Sequence, residues 1–199
     1  LPIAGGEAKS LTSGLAWDIQ PRFSPDGQEI AFVSDRAGGD NIWVLTLASG
    51  DLRQITDESF RLLNSPVWHP EGHYIAAKKH FTTSRSLGTG EIWLFPADSD
   101  EPSPGIQLVE RPNKNYQKEL GEPAFTPLGD KIYYTQSATP GNTFIYHDDS
   151  HGPLFEVKQR DLTTGETQVI VGGYGGAVRP VPSRDGKRLA YVSRVRAES

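Results

Sequence analysis

The 199-residue sequence contains no cysteine and no methionine. Without cysteine the chain forms no disulfide, no thiolate metal site and no cysteine nucleophile, and cysteine usage leaves the redox compartment open. Acidic residues outnumber basic ones by 25 to 20, a formal net charge of −5, so no overall positive field is present to hold a nucleic-acid backbone. We therefore predict no nucleic-acid partner.

Long apolar segments are missing as well. No run of about 18 apolar residues occurs, which predicts no membrane insertion, and no basic segment with an apolar core marks a secretory signal. The chain opens on Leu1-Pro2-Ile3 rather than on methionine. We expect it to be a processed protein or a piece of a longer one.

Helical periodicity is absent, and a repeat stands in its place. Pro or Gly interrupts every window that holds the i, i+3, i+4, i+7 spacing of an amphipathic helix. A Pro/Asp/Gly turn ending at Gly27 recurs in altered form at Gly72, Gly129 and Gly186, which lie 45, 57 and 57 residues further along in turn. Each of the first three turns precedes three short apolar segments, a spacing typical of four-stranded propeller blades.

These repeats predict an all-β fold, a β-propeller of four-stranded antiparallel blades with three complete blades and two half blades. Two arrangements stay open: the termini close a four-bladed ring, or the chain is an open arc whose edge strands invite self-association. We assign outer strands of a preceding blade to 1–12, complete blades to 21–56, 65–110 and 121–171, and inner strands of a last blade to 178–195.

Turn chemistry explains the residues of the motif. Pro25 presets φ at the first central position, and Gly27 takes the positive φ that a three-residue hairpin needs. Leu128 in the third turn, and Pro182 and Arg184 around the fourth, depart from the pattern. We expect these departures to weaken the motif and to leave the fold intact.

The first repeat resembles that of TolB-like (Tol-type) propellers. The likeness is carried by Ser24-Pro25-Asp26-Gly27, by the segment from Ile30 to Arg36, and by Asn41-Ile42-Trp43-Val44. Because that resemblance is to a longer propeller, it favours the open arc over the closed ring.

Other stretches resemble the N-terminal propeller of large exported bacterial amidohydrolases, and they lie at 60–64, 85–93, 117–123 and 175–180. This resemblance implies a periplasmic or exported protein in which a propeller precedes a metal-dependent barrel. The barrel's His-x-His motif does not occur among the five histidines. Hydrolase activity is therefore not carried over to this chain.

Several polar residues are candidates for binding. Two His and two carboxylates within five residues are the one cluster suited to a metal ion, although a polar run in a loop is more often simply solvated. Long loops on a rigid scaffold carry binding residues, and Arg36 follows a strand end. Trp43 and Trp93, at matching strand positions, are expected in blade packing. The metal candidates are His147, Asp148, Asp149 and His151, and the interaction candidates are Arg85, Tyr116, Lys118 and Arg36.

Catalysis has no local basis in the sequence. A Gly-x-Ser-x-Gly nucleophile elbow is missing, and the glycines at 172–176 lead into no helix that would bind phosphate. We predict no cofactor and no enzyme in this chain. Our first hypothesis is a non-catalytic module for protein or domain interaction, or for substrate gating, within a larger exported amidohydrolase-like protein. The alternative is a stand-alone TolB-like periplasmic protein that binds another envelope protein, and a hydrolase in its own right ranks last.

Overall fold

A computed structural model describes residues 5–59, 62–83, 86–111, 120–138, 155–173 and 175–194, with backbone alone at 81–83 and 86–89. Every regular element in these ranges is a β-strand. The described part of the chain contains no apolar helix of membrane-spanning length.

Three four-stranded sheets and one two-stranded sheet follow one another along the chain, and every strand pair within them is antiparallel. We call the sheets the first to fourth blades. The predicted all-β propeller is confirmed. The first blade is β1 (Asp18–Phe23), β2 (Glu29–Ser34), β3 (Asn41–Thr46) and β4 (Leu52–Gln54); the second is β5 (Leu63–Trp68), β6 (Tyr74–Thr83), β7 (Ser86–Pro96) and β8 (Ile106–Val109); the third is β9 (Ala124–Phe125), β10 (Lys131–Ser137), β11 (Phe155–Asp161) and β12 (Thr167–Val171); the fourth is β13 (Val178–Pro182) and β14 (Leu189–Val192).

The four turns predicted from glycine spacing share one geometry. In the first, Gly27 has φ of 72° and donates its N–H to the Ser24 carbonyl at 2.9 Å. The Ser24 N–H donates to the Glu29 carbonyl at 2.9 Å, so four residues rather than three lie in the loop. The extra residue is held by Asp26, whose carboxylate accepts from the Ser24 hydroxyl and the Gln28 N–H.

The departures from the turn motif leave this geometry unchanged, as expected. The N–H of Gly129 donates to the Thr126 carbonyl, and that of Gly186 to the Ser183 carbonyl, each at 2.9 Å. Where Leu128 replaces the aspartate, the Thr126 hydroxyl donates instead to Asp130, at 2.7 Å. A carboxylate two residues further along thus takes over the role of the missing one.

Apolar side chains fill the spaces between successive blades. The cluster between the first and second blades includes Ile42, Ile75 and Phe95, all fully buried. The cluster between the second and third includes Ile92 and Ile132, also fully buried. Both faces of a middle blade are therefore covered, which explains why its central strands are apolar at consecutive positions.

The four blades form an open arc in the part of the chain that the structure describes. No strand of the first blade contacts the fourth blade in the described part of the chain. Residues 5–17 contain no strand, so the half blade assigned to 1–12 stays a prediction. The blade boundaries assigned from the sequence likewise stay predictions, although β1 begins at Asp18, before the predicted start at 21.

Candidate axial binding groove

One dipeptide recurs on the innermost side of all four blades. Each blade has a residue followed by proline seven positions before its turn glycine. The repeated residues are Gln20, Ser65, Glu122 and Arg179, which we call the axial residues. Strand pairing shifts register across three of them, between Ile19 and Arg22, between Asn64 and Val67, and between Val178 and Val181. The first, second and fourth blades therefore carry a β-bulge at the same place in the repeat.

The bulges hold an unusual backbone. Gln20, Ser65 and Arg179 have φ of 55°, 54° and 57°, and they are the only non-glycine residues with positive φ in the described ranges. Side chains with a Cβ rarely adopt this region, and a residue held there costs of order 1–3 kcal/mol. The same strained backbone conformation therefore occurs at the same position in three blades.

Contacts between blades join the axial residues. The Ser65 N–H donates to Gln20 Oε1 at 2.5 Å, which links the first two blades. The Trp68 indole N–H donates to the Arg22 carbonyl at 3.0 Å across the same junction. Arg179 Nε lies 3.5 Å from Glu122 Oε1, which joins the fourth blade to the third. The innermost strands are therefore tied to one another by polar contacts as well as by packing.

A groove of about 990 Å³ runs along the axis between these strands. All four axial residues line it, and seven of its lining residues are prolines. The walls are partly apolar, with Phe125 and Val67 on them. The groove combines a rigid, proline-rich surface with a few polar side chains, the usual composition of a binding site.

The charged residues of the groove are Arg22, Glu122, Arg179 and Arg184. Three of the four are cations, whereas the chain as a whole carries −5. Side-chain exposure is 68% for Arg179 and 42% for Glu122, so the pair between them is open to solvent. The groove is therefore a positive region on an acidic protein.

Arg36 is described in full and lies away from the groove. Its guanidinium donates two hydrogen bonds to the Asp18 carboxylate, at 2.8 and 2.7 Å, and one to the Ser34 hydroxyl at 2.9 Å. It also stacks over the Phe32 and Trp43 rings at 5.4 and 5.2 Å from their centroids. These contacts give Arg36 a structural role, and its role in interaction stays a prediction although it borders a shallow hollow formed with residues 13–16.

The pKa values of two carboxylates, Asp18 and Asp40, are shifted in opposite directions. Burial raises the pKa of Asp18, but hydrogen bonds from Ser34 and Arg36 outweigh burial, and the net effect lowers the pKa below its ordinary value. Burial, with repulsion from Asp35, raises the pKa of Asp40. Asp35 itself accepts the Trp17 N–H at 2.8 Å, as expected for a carboxylate at a strand end.

The other predicted site residues lie outside the described ranges. These are the metal candidates His147, Asp148, Asp149 and His151 and the interaction candidates Arg85, Tyr116 and Lys118. Within the ranges that are described, no group of three His, Asp or Glu side chains is placed to hold a metal ion. The two tryptophans pack as predicted, Trp43 against the first blade's apolar cluster and Trp93 against the cluster between the first two blades.

The axial groove was not predicted from the sequence. Its signal was nevertheless present, because each axial residue precedes a proline at a constant distance from the turn glycine. That regularity indicates a repeated backbone feature but does not show that the four positions face one space.

Comparison with known proteins shows which proteins have a similar sequence and fold. TolB of the Tol-Pal system from Francisella tularensis is 28% identical over 196 residues, which cover 97% of this chain and 39% of that protein. The crystal structure of TolB from Acinetobacter baumannii superposes with a TM-score of 0.71 at 20% identity, over 96% of this chain and 41% of that one. The chain has a TolB-like β-propeller fold.

Three further findings qualify this likeness. The TolB-like chain spans about two fifths of the length of the TolB proteins that it matches. An uncharacterized peptidase of Bacillus subtilis, YuxL, is 33% identical over 87 residues, which cover 43% of this chain and 12% of the peptidase. No protein-family model matches the sequence.

Proposed function

We propose that this chain is a non-catalytic propeller module that binds a protein partner in its axial groove. The observation that carries the proposal is the position of the strained residues: Gln20, Ser65 and Arg179, each with left-handed backbone, all line one groove. Strain of this kind persists where the surrounding structure enforces it, and it is common at binding sites.

The likeness to TolB supports a protein as the partner and an exported or periplasmic location. The Francisella relative is named as a protein of the Tol-Pal system. The match covers 97% of this chain, so it includes the strands that line the groove. On this proposal the partner is another protein of the bacterial envelope.

A second candidate is that the partner is a catalytic domain of the same polypeptide. The observation that favours it is the match to the YuxL peptidase, in which the similar segment forms only 12% of a longer protein. The groove would then receive, or restrict access to, an attached hydrolase domain. An amidohydrolase barrel is the form of this candidate implied by the sequence resemblance.

Photo-crosslinking tests the groove directly. Val181 lines the groove and is 62% exposed, whereas Val169, on β12 at the far side of the third blade, is 52% exposed and does not line it. We would replace each valine in turn with p-benzoylphenylalanine and irradiate cells that produce the protein. We expect a protein adduct, identified by mass spectrometry, from position 181 and not from 169.

Two outcomes would contradict the proposal. Equal adducts from both positions would indicate non-specific contact along the whole surface. An adduct from 169 alone would move the binding surface to the outer strands. An adduct at 181 whose crosslinked peptide lies in another part of the same polypeptide would select the second candidate over the first.

A further inference from the structure

The guanidinium groups of the axial groove have spare hydrogen-bonding capacity. The Arg22 side chain donates to the Pro21 carbonyl at 3.1 Å, and neither Arg22 nor Arg184 has a carboxylate within 4 Å in the described part of the chain. Arg179 shares the one acidic side chain, Glu122, through a solvent-exposed contact. Two of the three cations are therefore free to bind an anion.

Most other side-chain donors on the groove walls are already engaged. The Ser65, Thr126 and Ser183 hydroxyls and the Trp68 indole N–H each donate to an acceptor of the protein itself. Seven of the lining residues are prolines, which have no backbone N–H to offer. Donors are thus concentrated in the guanidinium groups, which match carboxylates in geometry as well as in charge. A cleft with an excess of one sign of charge also raises the local concentration of ligands of the opposite sign. The groove therefore selects a ligand rich in carboxylates.

The placement of the cations selects the shape of that ligand. Arg22 follows the bulge of the first blade, whereas Arg179 and Arg184 belong to the fourth, at the other end of the arc. A ligand that contacts all three has to span the groove from the first blade to the fourth. An extended peptide can do so, because its chain advances by about 3.3 Å per residue and can carry carboxylates along its whole length.

We infer that the axial groove binds an extended acidic peptide segment, whose carboxylates pair with Arg22 on one side and with Arg179 and Arg184 on the other. This inference rests on the proposed function and adds the chemistry of the partner. The partner therefore carries an unfolded or strand-like stretch rich in Asp or Glu.

Fluorescence anisotropy with defined peptides tests the inference. The probes are labelled ten-residue peptides of alternating Glu and Thr, Gln and Thr, or Lys and Thr, titrated with the 199-residue chain. We expect the Glu peptide to bind at least about tenfold more tightly than the Gln peptide, and the Lys peptide to bind most weakly. Affinity for the Glu peptide should fall several-fold between about 50 and 300 mM salt, because screening weakens exposed charge pairs.

Two arginines of one turn provide a matched pair of variants. Arg184 lines the groove, whereas Arg188, four residues further along and also exposed, does not. R184Q should weaken binding of the Glu peptide about fivefold or more, and R22Q should do the same from the other side. R188Q should leave the affinity unchanged. Because all three side chains are exposed, each variant should keep the circular dichroism spectrum of the parent chain.

Three results would overturn the inference. One is equal affinity for the Glu and Gln peptides, and another is equal loss of affinity in R184Q and R188Q. The third is polygalacturonate binding as tightly as the Glu peptide, which would assign the groove to an acidic glycan. Equal affinity for the Glu and Gln peptides together with crosslinking at position 181 would leave the proposed function standing, whereas absence of both would remove it.

Discussion

In both the first and the second blade a cationic side chain lies over the tryptophan at the same strand position. The two blades use different cations and pair them with different carboxylates. In the first blade the Arg36 guanidinium lies 5.2 Å from the Trp43 ring centroid, and in the second the Lys79 ammonium lies 4.4 Å from that of Trp93. The side chain of Arg36 is 16% exposed, whereas that of Lys79 is 4% exposed. The two blades thus share the tryptophan ring and differ in the cation that lies over it.

The partners of these cations differ in where they come from. Arg36 pairs with Asp18, on the innermost strand of its own blade. Lys79 pairs with Glu58, in the connection that leads from the first blade to the second. The first pair therefore stabilises one blade, whereas the second holds two blades together and is more deeply buried. This difference yields a ranked set of expected effects.

The largest effect is expected from K79M. Removal of this cation leaves the Glu58 carboxylate, whose side chain is 15% exposed, without its partner between two blades. Breaking a buried pair from one side costs about 3 kcal/mol or more, measured as the free energy of unfolding in urea. The double variant K79M/E58Q should recover much of that loss, and a double variant as unstable as K79M would contradict the role of the pair.

A smaller effect is expected from R36M. Asp18 keeps its hydrogen bond with Ser34, and its side chain is 19% exposed, so water partly replaces the guanidinium. We expect the free energy of unfolding to fall by about 1–2 kcal/mol. If R36M and K79M were equally unstable in the same urea titration, the distinction between the two blades would fail.

The tryptophan rings themselves give the next comparison. The Trp93 indole N–H donates to Glu91 at 2.9 Å, and Glu91 is buried, whereas the Trp43 indole N–H is buried without a hydrogen-bond partner. W93F therefore removes a donor from a buried carboxylate, which W43F does not. We expect W93F to lose about 1 kcal/mol more than W43F in urea unfolding. Equal losses would show that ring packing alone decides both.

The smallest effect concerns acid stability. The folded pKa of Asp18 lies below its ordinary value of 3.8, so its ionised form stabilises the fold above about pH 4, and this stabilisation is lost as the pH falls through the folded pKa. In D18N the difference from the parent chain should be largest above pH 4 and should shrink toward lower pH. D40N serves as the contrast, because the raised pKa of Asp40 predicts the opposite sign. Urea unfolding between pH 2.5 and 6 measures both, and parallel pH profiles for D18N and the parent would contradict the assignment.

Local chemistry explains why the blades were predictable from sequence. The turn at Gly27 needs a positive φ, which glycine adopts without cost, and the motif therefore marks each hairpin wherever it occurs. The number of strands per blade follows from the apolar segments between the turns. The additional loop residue was missed because it depends on hydrogen bonds of Asp26 that spacing alone does not reveal.

The sequence by itself determined the repeat and the all-β class, because turns and apolar strands depend on residues that are neighbours in the chain. Only the tertiary structure decided that Gln20, Ser65, Glu122 and Arg179, each 45 to 57 residues from the next, face one groove. Tertiary structure also decided that Lys79 is buried against Glu58 rather than solvated. The physical reason is the same for both: these environments are created by the packing of separate blades, and no local segment contains them.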